Sequence, residues 1–170
     1  MKKILALMLP FLFGGCLGVP EGVTPVQGFE LDKYLGKWYE IARLDHSFER
    51  GLQAVTAEYA MRPDGGVSVT NRGYSGQQEK WKDAEGKAFF VGEPQVGHLK
   101  VSFFGPFYGS YAVFELDSEY QYAFISGSST KYLWFLSRTP EVSQELKDQF
   151  IEKAASLGFD TSALIFVDHP

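Results

Sequence analysis

The chain has 170 residues, 45% hydrophobic and 16% aromatic, which is enough for one domain with a sizeable core and too short for two ordinary domains. Its formal charge of −5 at pH 7 argues against a nucleic-acid partner, because an acidic surface gains nothing from a phosphate backbone. Aromatic side chains together with 18 glycines favour short strands joined by tight turns, so an all-β fold is expected.

The N-terminal residues have the pattern of a secretory leader. Two lysines precede an apolar run over residues 4–13, which is too short to span a bilayer about 30 Å thick. Two glycines then precede Cys16, the sole cysteine. This arrangement resembles the lipobox of bacterial lipoproteins, which implies cleavage before Cys16 and a lipid on its sulfur. The alternative is an ordinary cleaved signal with an incidental cysteine.

The leader also predicts where the domain begins. Residues 1–15 are assigned to a lipoprotein signal peptide and residues 16–28 to a lipidated tether containing Pro and Gly. Residues 29–170 then form the single folded domain. Leu17 follows the cysteine where Asp would mark retention in the inner membrane, and in the lipoprotein sorting pattern this points to the outer membrane.

Eight candidate strands follow, separated by turn signals rich in Gly, Pro and Asp. Alternation is clearest where Leu99, Val101 and Phe103 share one face. Closing eight antiparallel strands removes both sheet edges and leaves an interior wide enough for one small ligand. The candidate strands cover residues 37–44, 53–62, 67–74, 87–91, 99–103, 110–116, 120–126 and 132–138.

The hydrophobic period changes after the eighth strand. Thr139 is a suitable N-cap, Pro140 suits a first helical turn, and apolar residues then recur at helical spacing as far as Gly158. A short apolar run at 163–167 could add a ninth strand. The predicted fold is therefore an all-β, eight-stranded antiparallel up-and-down barrel with one C-terminal α-helix packed outside and a short ninth strand.

Short motifs in this order resemble the lipocalin family, and within it the bacterial lipocalins that are outer-membrane lipoproteins. Gly36-x-Trp38-Tyr39 is similar to the lipocalin first-strand motif, and Leu-Ser-Arg-Thr at 136–139 is similar to the third motif. The segment 116–120 keeps the Asp and Tyr of the second motif and lacks its Thr. The resemblance implies an eight-stranded lipocalin barrel.

The resemblance also assigns a structural role to three residues. It implies that Arg138 lies across Trp38 at the closed end of the barrel, with Gly36 beside them. A guanidinium on an indole face contributes about 0.5 to 2 kcal/mol. These residues are therefore expected to close the fold.

The inward alternation of the strands predicts the wall of a ligand pocket. Phe48 and Leu52, on the connection after the first strand, are expected to form the apolar underside of a lid. Specificity for a headgroup would come from mouth residues such as Arg43, Arg50, Arg62 or Arg72, which the sequence does not rank. The predicted ligand-binding residues are Trp38, Tyr59, Val69, Phe90, Val101, Phe103, Val113, Tyr122 and Trp134.

An aromatic cluster surrounds the Gly105-Pro106 turn. Part of it is expected to be core, and the remainder either lines the ligand entrance or forms a subunit contact, which would make a homodimer. The cluster consists of Phe103, Phe104, Phe107, Tyr108 and Tyr111.

Two glutamates and three histidines are the candidate chemical groups. Strand alternation places Glu40 and Glu115 inside the barrel, as an acid/base pair or as a hydrogen-bonded polar floor. The floor is favoured because no nucleophile accompanies the pair. His46, His98 and His169 are far apart in sequence and are interpreted as solvated side chains, so neither a metal nor a cofactor is expected.

The sequence therefore predicts a lipid-anchored lipocalin at the periplasmic face of the outer membrane. Its expected ligand is a fatty acid or lysophospholipid, stored or transported in the barrel without chemistry. The alternatives are an enzyme that acts on such lipids and an envelope scaffold whose barrel is filled by its own side chains.

Overall fold

The computed structural model describes residues 17–170, so Cys16 and the predicted signal peptide lie outside the described residues. The strands form one antiparallel sheet, and two helices of four or more residues flank it. In chain order the elements are α1 (Leu31–Tyr34), β1 (Gly36–Leu44), β2 (Leu52–Met61), β3 (Val67–Ser75), β4 (Lys80–Phe90), β5 (His98–Phe104), β6 (Phe107–Leu116), β7 (Tyr122–Ser126), β8 (Leu133–Ser137), α2 (Gln144–Ser156) and β9 (Leu164–Phe166).

The first strand closes the sheet into a barrel. Consecutive strands pair from β2 to β8, and β1 pairs with both β8 and β2. The N-terminal half of β1 pairs with β2, through Gly36 opposite Tyr59, whereas its C-terminal half pairs with β9, through Leu44 opposite Leu164. The predicted eight-stranded antiparallel barrel and its short ninth strand are confirmed.

Two hydrophobic clusters lie on the two sides of this sheet. One fills part of the barrel interior and includes Trp38, Val69 and Leu99. The other lies between the sheet and α2 and includes Phe124, Phe135 and Phe150, all fully buried. The first strand is apolar on both faces because it borders both clusters. The helix packs outside the barrel, as predicted.

The helix begins later than the sequence predicted. Its N-cap is Ser143, whose hydroxyl accepts a hydrogen bond from the Leu146 amide at 3.2 Å. The Thr139 hydroxyl instead donates to the Glu141 carbonyl at 2.7 Å, so Thr139 stabilises a turn and not a helical end. Gly158 adopts φ +82°, a left-handed conformation that ends the helix where expected.

Pairing partners also correct several strand limits. β4 begins at Lys80 and not at residue 87, because it pairs with the whole of β3 from Ser75 to Val67. Residues 83–86, which include Asp83 and Gly86, therefore lie within a strand, since tertiary pairing overrides their weak β propensity. β7 begins at Tyr122 and not at 120, since Tyr120 has φ +57° in a turn.

Residues 18–28 pack against the barrel, which shortens the predicted tether. The side chain of Val23 is buried in the outer cluster. The Val26 amide donates to the Val113 carbonyl at 2.8 Å, and the Val26 carbonyl accepts from the Gly97 amide at 2.9 Å. Among residues 17–170, no helix is both long and apolar enough to cross a membrane.

Candidate functional site

The barrel encloses a cavity of about 960 Å³, near the upper end of the range for small-molecule sites. It reaches the loops after β1, β5 and β7, which lie at one end of the barrel. Of the predicted pocket residues, five line this cavity, together with both predicted lid residues Phe48 and Leu52. The five are Tyr59, Val69, Val101, Phe103 and Trp134.

Four predicted pocket residues lie elsewhere. Trp38, Phe90 and Val113 belong to the interior cluster, but they do not line the cavity, since α1 and the segment before it fill that end of the barrel. Tyr122 packs in the outer cluster against Phe124, with ring centres 5.5 Å apart, so its predicted inward position was wrong.

Three tyrosine hydroxyls lie at the inner end of the cavity. The Tyr111 hydroxyl is 2.7 Å from that of Tyr34 and 2.9 Å from that of Tyr59. Burial raises the pKa of all three phenols, so they remain protonated and form a neutral hydrogen-bonded chain. Tyr111 shares the inward alternation of Val113 and could have been found from the sequence, whereas Tyr34 lies on the unpredicted helix α1.

A buried ion pair lies beside the cavity because β1 contains an irregularity. Glu40 pairs with Leu136 and Ala42 with Phe135, so Ile41 is an extra residue in β1. Glu40 and Arg43 therefore both point inward, and Arg43 Nη1 donates to Glu40 Oε1 at 2.7 Å. Both side chains are almost completely buried.

Arg43 also fixes the loop that covers the cavity. Its Nη2 donates to the carbonyls of Glu49 at 3.0 Å and Leu52 at 3.1 Å. These bonds engage the guanidinium within the protein, so it is not free to bind a headgroup. The structure thus gives Arg43 a role in holding the lid loop.

A second buried carboxylate lies in this loop. Glu49 Oε2 is 2.8 Å from His46 Nε2 and accepts a hydrogen bond from Trp134 Nε1 at 3.1 Å. His46 is buried and not solvated, with its ring centre 5.2 Å from that of Trp134. Sequence reasoning missed Glu49 because a loop without periodicity gives no signal of inward orientation.

The two buried carboxyl groups, Glu40 and Glu49, differ in the direction of their pKa shifts. Burial and the neighbouring Glu49 carboxylate raise the pKa of Glu40 well above its ordinary value, against the opposing effect of Arg43. Burial by itself also raises the pKa of Glu49. The hydrogen bond and charge of His46, with smaller contributions from Trp134 and Arg43, outweigh burial and lower the pKa overall. Glu49 is therefore the more readily ionised member of the pair.

Glu115 does not belong to this site. Val113 pairs with Ile125 and Glu115 with Phe124, so Phe114 is an extra residue in β6 and the following positions change face. Glu115 consequently lies outside, 3.6 Å from Lys153 of α2. Its expected interior position was wrong.

The other candidate mouth arginines also have partners. Arg50 pairs with Asp45 at 2.8 Å, and Arg62 pairs with Asp64 at 2.7 Å at the opposite end of the barrel. Arg72 does line the cavity, and it lies 3.5 Å from Asp83 and 4.8 Å from the Trp81 ring centre. No cluster of His, Cys, Asp and Glu side chains suited to a metal ion occurs among residues 17–170.

The chain is similar to known proteins over most of its length. The family described as "Lipocalin-like domain" matches residues 29–169. The outer membrane lipoprotein Blc of Vibrio cholerae is 62% identical over 168 residues, covering 98% of each chain. Outer membrane lipoprotein Blc of Escherichia coli K12 is 53% identical over 151 residues, covering 89% of this chain and 85% of the relative.

The fold has solved counterparts as well. Insecticyanin from the tobacco hornworm superposes with a TM-score of 0.70 at 23% identity, covering 89% of this chain and 86% of that one. This similarity concerns the barrel and its helix. The family match spans most of the chain and the bacterial relatives are similar over nearly all of it, and the chain therefore belongs to the lipocalin family.

Proposed function

We propose that this lipocalin binds one single-chain lipid, a fatty acid or a lysophospholipid, in its barrel cavity. The observation that carries the proposal is a cavity of about 960 Å³ whose wall includes Val69, Val101 and Phe103. Such a wall suits a hydrocarbon chain because burying apolar surface is favourable and requires no directional partner.

The energetics allow useful affinity without a special polar contact. An acyl chain of about 16 carbons, at about 0.8 kcal/mol for each buried methylene, contributes roughly 12 kcal/mol before costs. Association costs on the order of 4 to 15 kcal/mol. Micromolar binding therefore falls within the range that apolar burial supports.

The same proposal places the protein at the outer membrane through a lipid on Cys16. The two bacterial relatives are named outer membrane lipoproteins, and Cys16 follows two glycines at the end of an apolar run. The folded segment begins soon after Cys16, since Val19 already packs against the outer cluster. The anchor would thus hold the barrel close to the membrane surface, which we place in the periplasm.

Binding without chemistry is favoured over the two alternatives. An open cavity argues against a scaffold whose barrel is filled by its own side chains. The buried acidic and basic groups beside the cavity are engaged with each other, Arg43 with Glu40 and His46 with Glu49. His98 Nε2 and Ser110 Oγ lie 2.7 Å apart, but Ser110 lines the cavity and His98 does not, so the two groups do not face a ligand together.

A delipidated protein comprising residues 17–170 provides the test, since the nine strands and both hydrophobic clusters described above lie within it. Titration with oleate and with oleoyl-lysophosphatidylcholine should quench Trp fluorescence with saturation at one lipid per barrel. Mass spectrometry of the recovered lipid should show it unchanged. Absence of saturable binding would support a scaffold, and recovery of a cleaved lipid would support an enzyme.

A further inference from the structure

Three phenylalanines at the mouth of the barrel are exposed to an unusual extent. Phe48, Phe104 and Phe107, here called the mouth rim, have 67%, 70% and 78% of their surface exposed. These are the largest values among the exposed large hydrophobic residues of segment 17–170. Packing within the chain therefore does not account for them.

The mouth rim surrounds the opening of the cavity. Phe48 lies on the loop between β1 and β2, and the other two residues flank the turn between β5 and β6. All three contribute to the cavity lining. Exposed apolar surface is thus continuous with the apolar wall inside, so the opening has no polar border at these points.

A further aromatic residue lies near the same end, on the outside of the barrel. Trp81 is 46% exposed and pairs with Tyr74, close to the end of β3. The Arg72 guanidinium lies 4.8 Å from its ring centre. An amphipathic ring beside a cation is the combination that proteins place at a membrane–water interface.

We propose that the mouth rim docks on a lipid bilayer and inserts its three rings into the boundary between headgroups and acyl chains. The cavity would then open towards the acyl layer, so that a lipid passes between membrane and barrel with little exposure to water. A bilayer is favoured over a protein partner, since a protein seated on the rim would cover the opening that the ligand must use. The route for the ligand rests on the proposed function, whereas adsorption to the bilayer does not.

Vesicle sedimentation of the protein comprising residues 17–170 tests adsorption without the anchor. The vesicles contain phosphatidylethanolamine and phosphatidylglycerol. The rim variant carries Phe48→Ser, Phe104→Ser and Phe107→Ser. The control variant removes exposed apolar side chains from other surfaces, through Met61→Ser, Val91→Ser and Phe166→Ser, at positions that are 50%, 40% and 42% exposed.

The rim variant should lower the vesicle partition coefficient about ten-fold or more, whereas the control should stay within about two-fold of the native value. A fluorescent lysophospholipid supplied in vesicles should also enter the rim variant about ten-fold more slowly. Because the rim also contributes to the cavity lining, the rim variant should lose less uptake of the same lipid supplied as monomers below its critical micelle concentration than of the lipid supplied in vesicles. If the triple variant does not fold, as judged by circular dichroism, Phe107→Ser alone should lower partition several-fold.

Equal partition of the native protein and the rim variant would overturn the proposal. The proposal would also be overturned if the native protein does not bind vesicles and instead forms a dimer in sedimentation that the rim substitutions dissociate. The rim would then join two copies of this chain. Native protein that adsorbs through the rim yet takes up no lipid would leave this proposal standing and overturn the proposed function.

Discussion

The guanidinium carbon of Arg138 lies 3.9 Å from the centre of the Trp38 indole ring, at the end of the barrel opposite the mouth. Arg138 also donates to the carbonyls of Lys33 at 2.7 Å and Lys37 at 3.0 Å, and its Nε donates to the Tyr120 carbonyl at 3.2 Å. One side chain therefore joins the start of β1, the segment before it and the turn before β7. Neither Arg138 nor Trp38 lines the cavity.

Replacing Arg138 with Ala should destabilise the barrel without changing its preference among lipids. The loss of the cation–π contact and of three charge-assisted hydrogen bonds should lower the free energy of unfolding by about 3 kcal/mol. Urea denaturation measures this loss, and Arg138→Lys should recover only part of it, since a lysine cannot reach three carbonyls in a fork. A reordered lipid preference at unchanged stability would contradict this assignment.

Phe103→Glu should weaken lipid binding by about 2 kcal/mol or more, because it sets a carboxylate against a buried hydrocarbon chain. Fluorescence titration with oleate measures the change. Phe89→Glu is the matched control, since Phe89 alternates with the inward Ala88 and should lie on the outer face of the adjacent strand β4. Equal effects of the two substitutions would show that general charge, and not the cavity, controls affinity.

The raised pKa of Glu40 predicts a specific pH dependence of stability. The folded state binds the Glu40 proton more tightly than the unfolded state does. The stabilisation that results is complete below the unfolded pKa of this group and declines as the pH rises towards its folded pKa. The glutamine in Glu40→Gln does not titrate. The free energy of unfolding of this variant, minus that of the native protein, should therefore increase between pH 5 and pH 8. Thermal unfolding across that range measures the difference.

Glu115→Gln is the control for this titration, because Glu115 lies outside the barrel near Lys153. A pH-dependent difference seen for Glu40→Gln and absent for Glu115→Gln would assign the effect to the interior carboxyl group. A flat difference for Glu40→Gln as well would indicate that Arg43 keeps Glu40 ionised throughout and that burial does not raise its pKa.

Cys16→Ala should release the protein from membranes if a lipid on this residue is the anchor. Detergent phase partition of the full chain expressed in a Gram-negative host measures the change. Cys16 is the sole cysteine, so Cys16→Ser serves as a second substitution that also lacks the thiol. Either variant remaining in the outer-membrane fraction would place the anchor elsewhere.

The sequence by itself determined the order of the strands and of α2, but neither all of their limits nor the short helix α1. Strict alternation at Leu99, Val101 and Phe103 predicted three inward side chains, and all three belong to or pack against the interior cluster. Arg138 and Trp38 were paired by resemblance to a family, and they lie together. These features depend on local period and on short motifs, which a single sequence displays directly.

Only the tertiary structure decided which side chains face the cavity in the parts of β1 and β6 that follow an extra residue. One extra residue in β1 turns Arg43 inward, and one extra residue in β6 turns Glu115 outward. Such bulges arise from pairing with neighbouring strands, and a shift of one residue reverses the face of every position that follows. The pairing of His46 with Glu49 likewise depends on how Arg43 holds the lid loop, a contact between distant groups that no local pattern encodes.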